Sequence, residues 1–290
     1  MIIWRKRVLA GLLLVAAGAV PSAWAQPAAE GDVLLQDPVN AFVLGNVEFI
    51  FLHELAHAII DELKVPIIGP QEEAADYIAT TVLIRAGEFD PDAVERARKY
   101  LYATANGLAT SWDVGLETGR KAQFADVHAL TIQRFYQIVC LIYGSNPELF
   151  RDLPKQLGMP EKRTLGCVAE FKRADDGLRW LLDKYGRKPG DPQGAAITIE
   201  FQQPPTQVSA HLASVIRASG MLDNTVRRLR EHFALPHPLK IVFRACHAPQ
   251  AIWLPATHEV VVCYELLDNY YLLATDRRAT DRRMHLGEPP

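Results

Sequence analysis

The stretch FLHELAHAIIDELKVPIIGPQEEAADYIAT, residues 51–80, decides the fold of this chain. In its first half, His53, Glu54 and His57 are surrounded in the sequence mainly by apolar residues that would cover nearly every face of a helix. This pattern predicts a buried helix. Two prolines and a glycine at residues 65–70 then predict a loop. Acidic residues follow in the first turn of a second predicted helix. The stretch therefore predicts a helix–loop–helix unit at the centre of the molecule.

The spacing of the two histidines is that of a metal-binding helix. His53 and His57 are four residues apart, so their side chains lie on one helical face and can bind one zinc ion. Glu54 stands at the edge of that face, where it can reach a zinc-bound water without binding the metal. Zinc lowers the pKa of such a water to about 7, and a nearby carboxylate can then take its proton. We therefore predict Glu54 as the general base.

A catalytic zinc needs a third protein ligand and one open position. Glu72, in the first turn of the second helix, is the predicted ligand, and Glu73 is the alternative. Asp76 shares a face with Glu72 and is predicted to accept a hydrogen bond from His53, which would orient that imidazole. Acidic residues in a first turn can also simply stabilise the helix dipole. The zinc assignment is favoured because buried charged groups need partners.

Composition and the N-terminus narrow the class of protein. The chain has 290 residues, of which 49% are hydrophobic, and its formal net charge of -3 gives no sign of a nucleic-acid partner. Residues 1–25 combine a basic start, a short apolar run and an A-x-A motif, and are predicted to be a secretory signal peptide. An uncleaved anchor is the alternative. We expect a periplasmic or secreted protein without a membrane span after cleavage.

The predicted fold class is α+β, with a mainly helical zincin-like domain and a small antiparallel sheet. Residues 31–185 form the predicted helical core with the zinc site, and its helices are placed at 39–63, 71–86, 89–119, 125–143 and 173–185. A Gly/Pro-rich linker at 186–194 leads to an α/β segment at 195–275, expected to pack on the core. That segment has a strand, a helical stretch broken at Gly220, and three short strands predicted as an antiparallel meander. Residues 276–290 are predicted to be a flexible, solvated tail.

Four cysteines in an exported chain predict two disulfides. We predict the pairs Cys140–Cys167 and Cys246–Cys263, because each pair closes a short loop. Four reduced, buried thiols are the alternative.

The HExxH motif followed by ExxxD on the next helix resembles the gluzincin arrangement of thermolysin-like peptidases. The chain is more closely similar to a bacterial family of putative metallopeptidases. This resemblance is carried by FVLGNVEFIFLHELAHAIIDELKVPIIGPQEEAADYIAT, by ADVHALTIQRFYQIVCLIYGSNP and by LPHPLKIVFRACHAPQAIWLPATHEVVVCYEL. It implies zinc ligation by His53, His57 and Glu72, a catalytic Glu54, and structural roles for the paired cysteines. In thermolysin-like folds the sheet precedes the HExxH helix, whereas here the predicted strands follow it.

Two further features concern a peptide substrate. His128, with Asp126 or Arg134 nearby, is a predicted oxyanion donor, and Tyr136 is another; a lone histidine on a helix is more often structural. The segment QAIWLP, residues 250–255, is the predicted edge strand for pairing with an extended peptide, since a terminal proline suits an edge. An ordinary hairpin is the alternative.

The sequence thus predicts an exported zinc metallopeptidase that acts on peptides or proteins. The alternative is a non-catalytic envelope peptide-binding protein with a structural zinc site, which a fourth protein ligand such as Glu73 or Asp61 would indicate. An export or quality-control factor that only binds peptides is a third possibility.

Overall fold

The computed structural model describes residues 34–86, 91–119 and 129–285. Within these ranges the chain has the predicted α+β fold, mainly helical with one small sheet. The predicted signal peptide, Asp126 and His128 lie outside the described residues.

The helical part is built around α1, Pro38–Glu62. This helix begins one residue before the predicted position 39, because the Asp37 side chain accepts hydrogen bonds from two backbone N–H groups and Pro38 fits the first turn. The other long helices are α2 (Gln71–Ala86), α3 (Pro91–Glu117), α4 (Thr131–Ser145) and α7 (Cys167–Tyr185), and between the last two lie the short helices α5 (Leu153–Gln156) and α6 (Glu161–Thr164). The α7 helix begins six residues before the predicted start, at a cysteine that is buried and bonded to α4.

The second part contains β1 (Ile197–Phe201), α8 (Gln207–Ser219), α9 (Met221–His232), β2 (Leu239–Arg244), β3 (Ala251–Leu254), β4 (Glu259–Cys263), α10 (Tyr264–Thr275) and α11 (Arg277–His285). The predicted break between α8 and α9 is present at Gly220, whose φ of 65° is a left-handed conformation that glycine adopts readily.

The predicted antiparallel meander is wrong. The strand order is β1-β2-β4-β3, with β1, β2 and β4 mutually parallel and only β3 antiparallel to β4. The helices α8 and α9 form the crossover connection that allows β2 to run parallel to β1. The strand β3 lies between β2 and β4 in the chain and provides the connection that allows β4 to run parallel to β2. The tight turn after β3 makes a hairpin with β4. This arrangement leaves β3 on an edge of the sheet.

The predicted solvated tail is also wrong for residues 277–285, which form α11. Ala279 is fully buried, and its carbonyl oxygen accepts a hydrogen bond from the Asn106 side chain. Arg282 donates to the Asn106 side chain and pairs with Asp113 of α3. Burial of the small side chain and these polar contacts therefore hold the repeated ATDRR segment against α3.

The core helix α1 is long and apolar enough to cross a membrane, but 94% of its most apolar window is buried inside the molecule. It packs against α2, α3, α10 and the edge strand β3. Gly45 allows the close crossing with α3, because a Cβ there would lie 2.6 Å from the Ala103 Cβ. One hydrophobic cluster joins α1 to the sheet, so the helical part and the α/β part share a core.

Both predicted disulfides are present. Cys140–Cys167 joins α4 to α7, and Cys246–Cys263 joins the loop after β2 to the end of β4. All four cysteines are therefore paired, which indicates an oxidising environment.

A buried carboxyl on α1 makes stability depend on pH. Glu48 is 7% exposed; one oxygen accepts a hydrogen bond from Thr225, and the other has no partner among the described residues. Burial raises the pKa of Glu48 to about 7, although Thr225 and the charges of Arg228 and Arg96 oppose the shift. The ordinary pKa of a glutamate, which applies to an unfolded chain, is 4.5. The folded state therefore binds more protons between these values, and its stability falls as pH rises through this window.

We expect Glu48→Gln to remove this dependence, because the amide carries no charge to bury. At pH 8 the variant should be more stable than the wild type by about 3 kcal/mol, and at pH 4.5 the two should differ much less. Denaturant unfolding of both proteins at the two pH values measures the difference. Equal differences at both values would show that Glu48 is not the titrating group.

Candidate metal centre

Three side chains from α1 and α2 converge on one point. The Nε2 atoms of His53 and His57 are 3.1 Å apart, and Glu72 Oε2 lies 3.1 Å from the first and 3.3 Å from the second. The two histidines are on consecutive turns of α1, and Glu72 is in the first turn of α2. The loop at residues 65–70 folds the second helix back so that its first turn meets them.

These distances fit a tetrahedral ion. Zinc binds nitrogen and carboxylate oxygen at about 2.0–2.2 Å, so neighbouring ligand atoms in a tetrahedron are about 3.3 Å apart. The three observed separations of 3.1, 3.1 and 3.3 Å match that edge length. An ion at their centre would need little movement of the side chains.

The hydrogen bonds made by the two Nδ1 atoms determine that each imidazole presents the lone pair of Nε2 to the centre. His53 Nδ1 is 2.8 Å from Asp76 Oδ1, and His57 Nδ1 is 2.7 Å from Gln71 Oε1. The Gln71 amide donates from its nitrogen to Asp61, so its oxygen must accept from His57. When both neutral rings donate from Nδ1, two Nε2 lone pairs and a carboxylate oxygen face each other. A cation at the centre, either a proton on His53 or a metal ion, stabilises such a set, and its donors suit zinc.

The charges around His53 favour a positive centre. Burial alone would lower its pKa, but hydrogen bonds to Asp76 and Glu72 outweigh burial and raise the pKa to about 9. Burial would likewise raise the pKa of Asp76, but the Arg134 guanidinium and His53 bring it down to about 2. Arg134 makes two 2.7 Å hydrogen bonds to Asp76. Asp76 is therefore a fixed anion that orients His53.

The Glu54 carboxylate is held beside the histidines by the edge strand. Its Oε2 accepts a 2.7 Å hydrogen bond from the backbone N–H of Trp253 in β3. Burial raises the pKa of Glu54, while the charges of His53 and His57 oppose the rise. A carboxyl with a raised pKa is better suited to accept a proton near neutral pH.

A hydrogen-bonded chain joins this carboxylate to a ligand of the centre. His57 binds Gln71, whose amide nitrogen donates to Asp61 over 3.1 Å, and Asp61 accepts the indole N–H of Trp253 at 2.8 Å. The backbone N–H of the same tryptophan binds Glu54. The chain of contacts therefore fixes β3 relative to both His57 and Glu54.

The centre is partly exposed on the side of Glu72. The side chains of His53 and His57 are 1% and 8% exposed, whereas that of Glu72 is 20% exposed. Among the described residues, the cluster offers three ligands and no fourth. Glu73 is exposed, and Asp61 is occupied by Gln71 and Trp253. Neither of the two side chains considered as a fourth ligand therefore closes the site.

Other predicted residues lie elsewhere. Arg134 binds Asp76, and Tyr136 lines a cleft of about 400 Å³ that none of the three ligands lines. Tyr270 of α10, which the sequence did not single out, has its pKa raised to about 12 by burial, and the charges of Glu54 and Arg134 act on it. Its electrostatic interaction with Glu54 makes it a candidate donor to a developing oxyanion.

Sequence reasoning also missed Gln71 and Trp253. Gln71 adjoins the predicted ligand Glu72, so a search for partners of the second imidazole nitrogen could have found it. Trp253 is 199 residues from Glu54, and no local pattern links the two.

An HExxH helix packed against a second helix that supplies a glutamate resembles the gluzincin arrangement, so the three side chains form a candidate metal centre. The chain belongs to the DUF4344 family, whose description is putative metallopeptidase, since that family model matches residues 26–182 and 201–287. Comparisons with curated proteins and with solved structures found no match. Membership of this family supports a metal-dependent hydrolase that acts on peptides or proteins.

Proposed function

We propose that the chain is an exported zinc metallopeptidase that hydrolyses peptide bonds, with His53, His57 and Glu72 as zinc ligands. The observation that carries the proposal is the convergence of three lone-pair donors beside the buried carboxylate of Glu54. The predicted signal peptide and the two disulfides support export.

The proposed reaction assigns one task to each group. Zinc held by His53, His57 and Glu72 would lower the pKa of a bound water to about 7 and would polarise the scissile carbonyl. Glu54 takes the proton of the attacking water and holds it for transfer to the leaving amine. Asp76 and Gln71 keep the two imidazoles in the tautomer that points Nε2 inward. Tyr270 donates to the oxygen of the carbonyl as negative charge develops there.

We propose that the substrate backbone binds to the edge strand β3. Gln250 accepts a hydrogen bond from Cys263 N–H on the β4 side. Because antiparallel pairs alternate, the N–H and C=O of Ala251 face the outer edge, as does the Trp253 N–H that binds Glu54. An extended peptide that pairs with this edge would lie beside the base.

Metal analysis and a digest test the proposal together. Freshly purified protein should contain about one tightly bound zinc per chain, and His57→Ala should lower that content. A peptide library should be cleaved by the protein, spared after chelation, and cleaved again when zinc is restored. Cleavage that is unaffected by chelation, or purified protein without metal, would contradict the proposal.

A further inference from the structure

A second cluster of metal-binding side chains lies at the C-terminal end of α1. Glu62, His237 and His258 come from the last residue of α1, the loop before β2 and the turn between β3 and β4. One ligand atom from each lies within 4.8 Å of the others. We propose that this cluster is a second divalent transition-metal site, which ties the β3–β4 hairpin to α1.

The donor set selects the kind of ion. His258 Nδ1 lies 2.5 Å from Glu62 Oε1, and His237 Nδ1 lies 2.8 Å from Oε2 of the same carboxylate. Two imidazole nitrogens and one carboxylate suit zinc, nickel or copper, whereas calcium and magnesium prefer oxygen ligands. The proposed ligand is therefore a borderline metal ion.

The ion would take the place of two hydrogen bonds. Without metal, each neutral imidazole donates from Nδ1 to Glu62. On binding, each ring carries its proton on Nε2 instead and offers the Nδ1 lone pair to the metal, so the rings remain neutral. The ligand atoms must separate to about 3.3 Å for a tetrahedral ion. That small opening is available because the side chains of His237 and His258 are 57% and 32% exposed.

The shape of the cluster would allow a bound metal ion to exchange with the solution. The Glu62 side chain is only 5% exposed and forms the floor, while the two imidazoles form the rim and stack at 4.4 Å. Solvent can reach the rim, so water would complete the coordination. A site with three protein ligands and open positions binds an exchangeable ion rather than a sealed structural one.

The backbone aims both imidazoles at Glu62. His237 lies between Pro236 and Pro238, which restrict the chain on either side of it. His258 has a φ of 53°, a left-handed conformation that is uncommon for residues with a side chain. Such local strain is often found at functional sites.

A metal ion bound at this second site would make β3, the proposed substrate-binding strand, more rigid. The His258 ring lies 6.3 Å from that of Trp253, whose indole is held by Asp61, the neighbour of Glu62 in α1. A metal bridging α1 and the turn would therefore restrain the end of β3, next to the two hydrogen bonds by which Trp253 contacts the helix. The metal site itself does not depend on the proposed peptidase activity, because it shares no ligand with the first centre.

The test is a count of bound zinc in the full-length protein after equilibrium dialysis, with nickel as a second probe. The wild type should bind about two zinc ions per chain, one tightly and one exchangeably. His258→Asn should bind about one. Asparagine tolerates the left-handed backbone and can still donate a hydrogen bond to Glu62, but it cannot replace the imidazole ligand.

The matched control is His211→Asn, which removes an exposed histidine of α8 and should still bind two ions. His57→Ala should lose the tight ion and keep the exchangeable one, which separates the two centres. Zinc should also raise the melting temperature of the wild type by more than it raises the melting temperature of His258→Asn. Saturation of the wild type at a single ion, or an unchanged count in His258→Asn, would show that the cluster is only a hydrogen-bonded clamp.

Discussion

Replacing Glu54 with glutamine should lower the rate of peptide hydrolysis by about 10²–10⁴-fold and leave zinc bound. The amide cannot take a proton from water, but its oxygen can still accept the hydrogen bond from Trp253 N–H that holds Glu54 in place. The geometry of the centre should therefore survive while the base is lost. Initial rates on a cleaved library peptide, with zinc content measured on the same samples, give the two readouts.

Two controls sharpen this result. Glu54→Asp keeps a carboxylate one methylene farther from the water and should retain part of the activity. Glu73→Gln removes an exposed charge near the site and should behave like the wild type. Full activity in Glu54→Gln would assign the proton transfer to another group, and loss of its zinc would make Glu54 structural.

Asp76→Asn should weaken zinc binding by about 10–100-fold, because the carboxylate that orients His53 and raises its basicity is replaced by a neutral amide. The same change leaves the largely buried guanidinium of Arg134 without its anion, which costs about 3–5 kcal/mol of folding stability. Competition with a chromophoric chelator measures the affinity, and denaturant unfolding measures the stability. Both losses are expected together.

Glu73→Gln is the matched control for this change as well, since it removes the same charge from an exposed position on the same helix. If Asp76→Asn binds zinc as tightly as Glu73→Gln does, the hydrogen bond to His53 has no part in metal affinity. If its stability is unchanged, Arg134 has another partner in the folded protein.

The local features of this protein were predictable because their causes lie within a few residues. The Asp37 cap and Pro38 start α1, and residues 71–86 form a helix with the bounds expected from the acidic first turn after Pro70. The two disulfide pairs followed from short loop lengths. The i,i+4 spacing of the histidines and a short loop to Glu72 were sufficient to propose a three-ligand site.

The remote contacts were not predictable in the same way. The sheet was expected to be antiparallel, since short β-branched runs show no strand direction, and the crossover by α8 and α9 makes it largely parallel. The tail was expected to be solvated because its repeated ATDRR unit is polar, yet burial of Ala279 and the contacts of Arg282 order it. Each outcome depends on a surface provided by a distant part of the chain.

The sequence by itself determined the helices and the three candidate ligands, because periodicity, capping and short loops act locally. Only the tertiary structure brought Trp253 N–H to Glu54, the Arg134 guanidinium to Asp76, and two distant histidines to Glu62. The contacts of Glu54 and Glu62 arise when the α/β part packs its hydrophobic face on α1, and that of Asp76 arises when α4 packs on α2. Burial then requires each of these polar groups to find a partner. The metal donors are therefore local in origin, whereas the groups that orient and accompany them come from the packing of the whole chain.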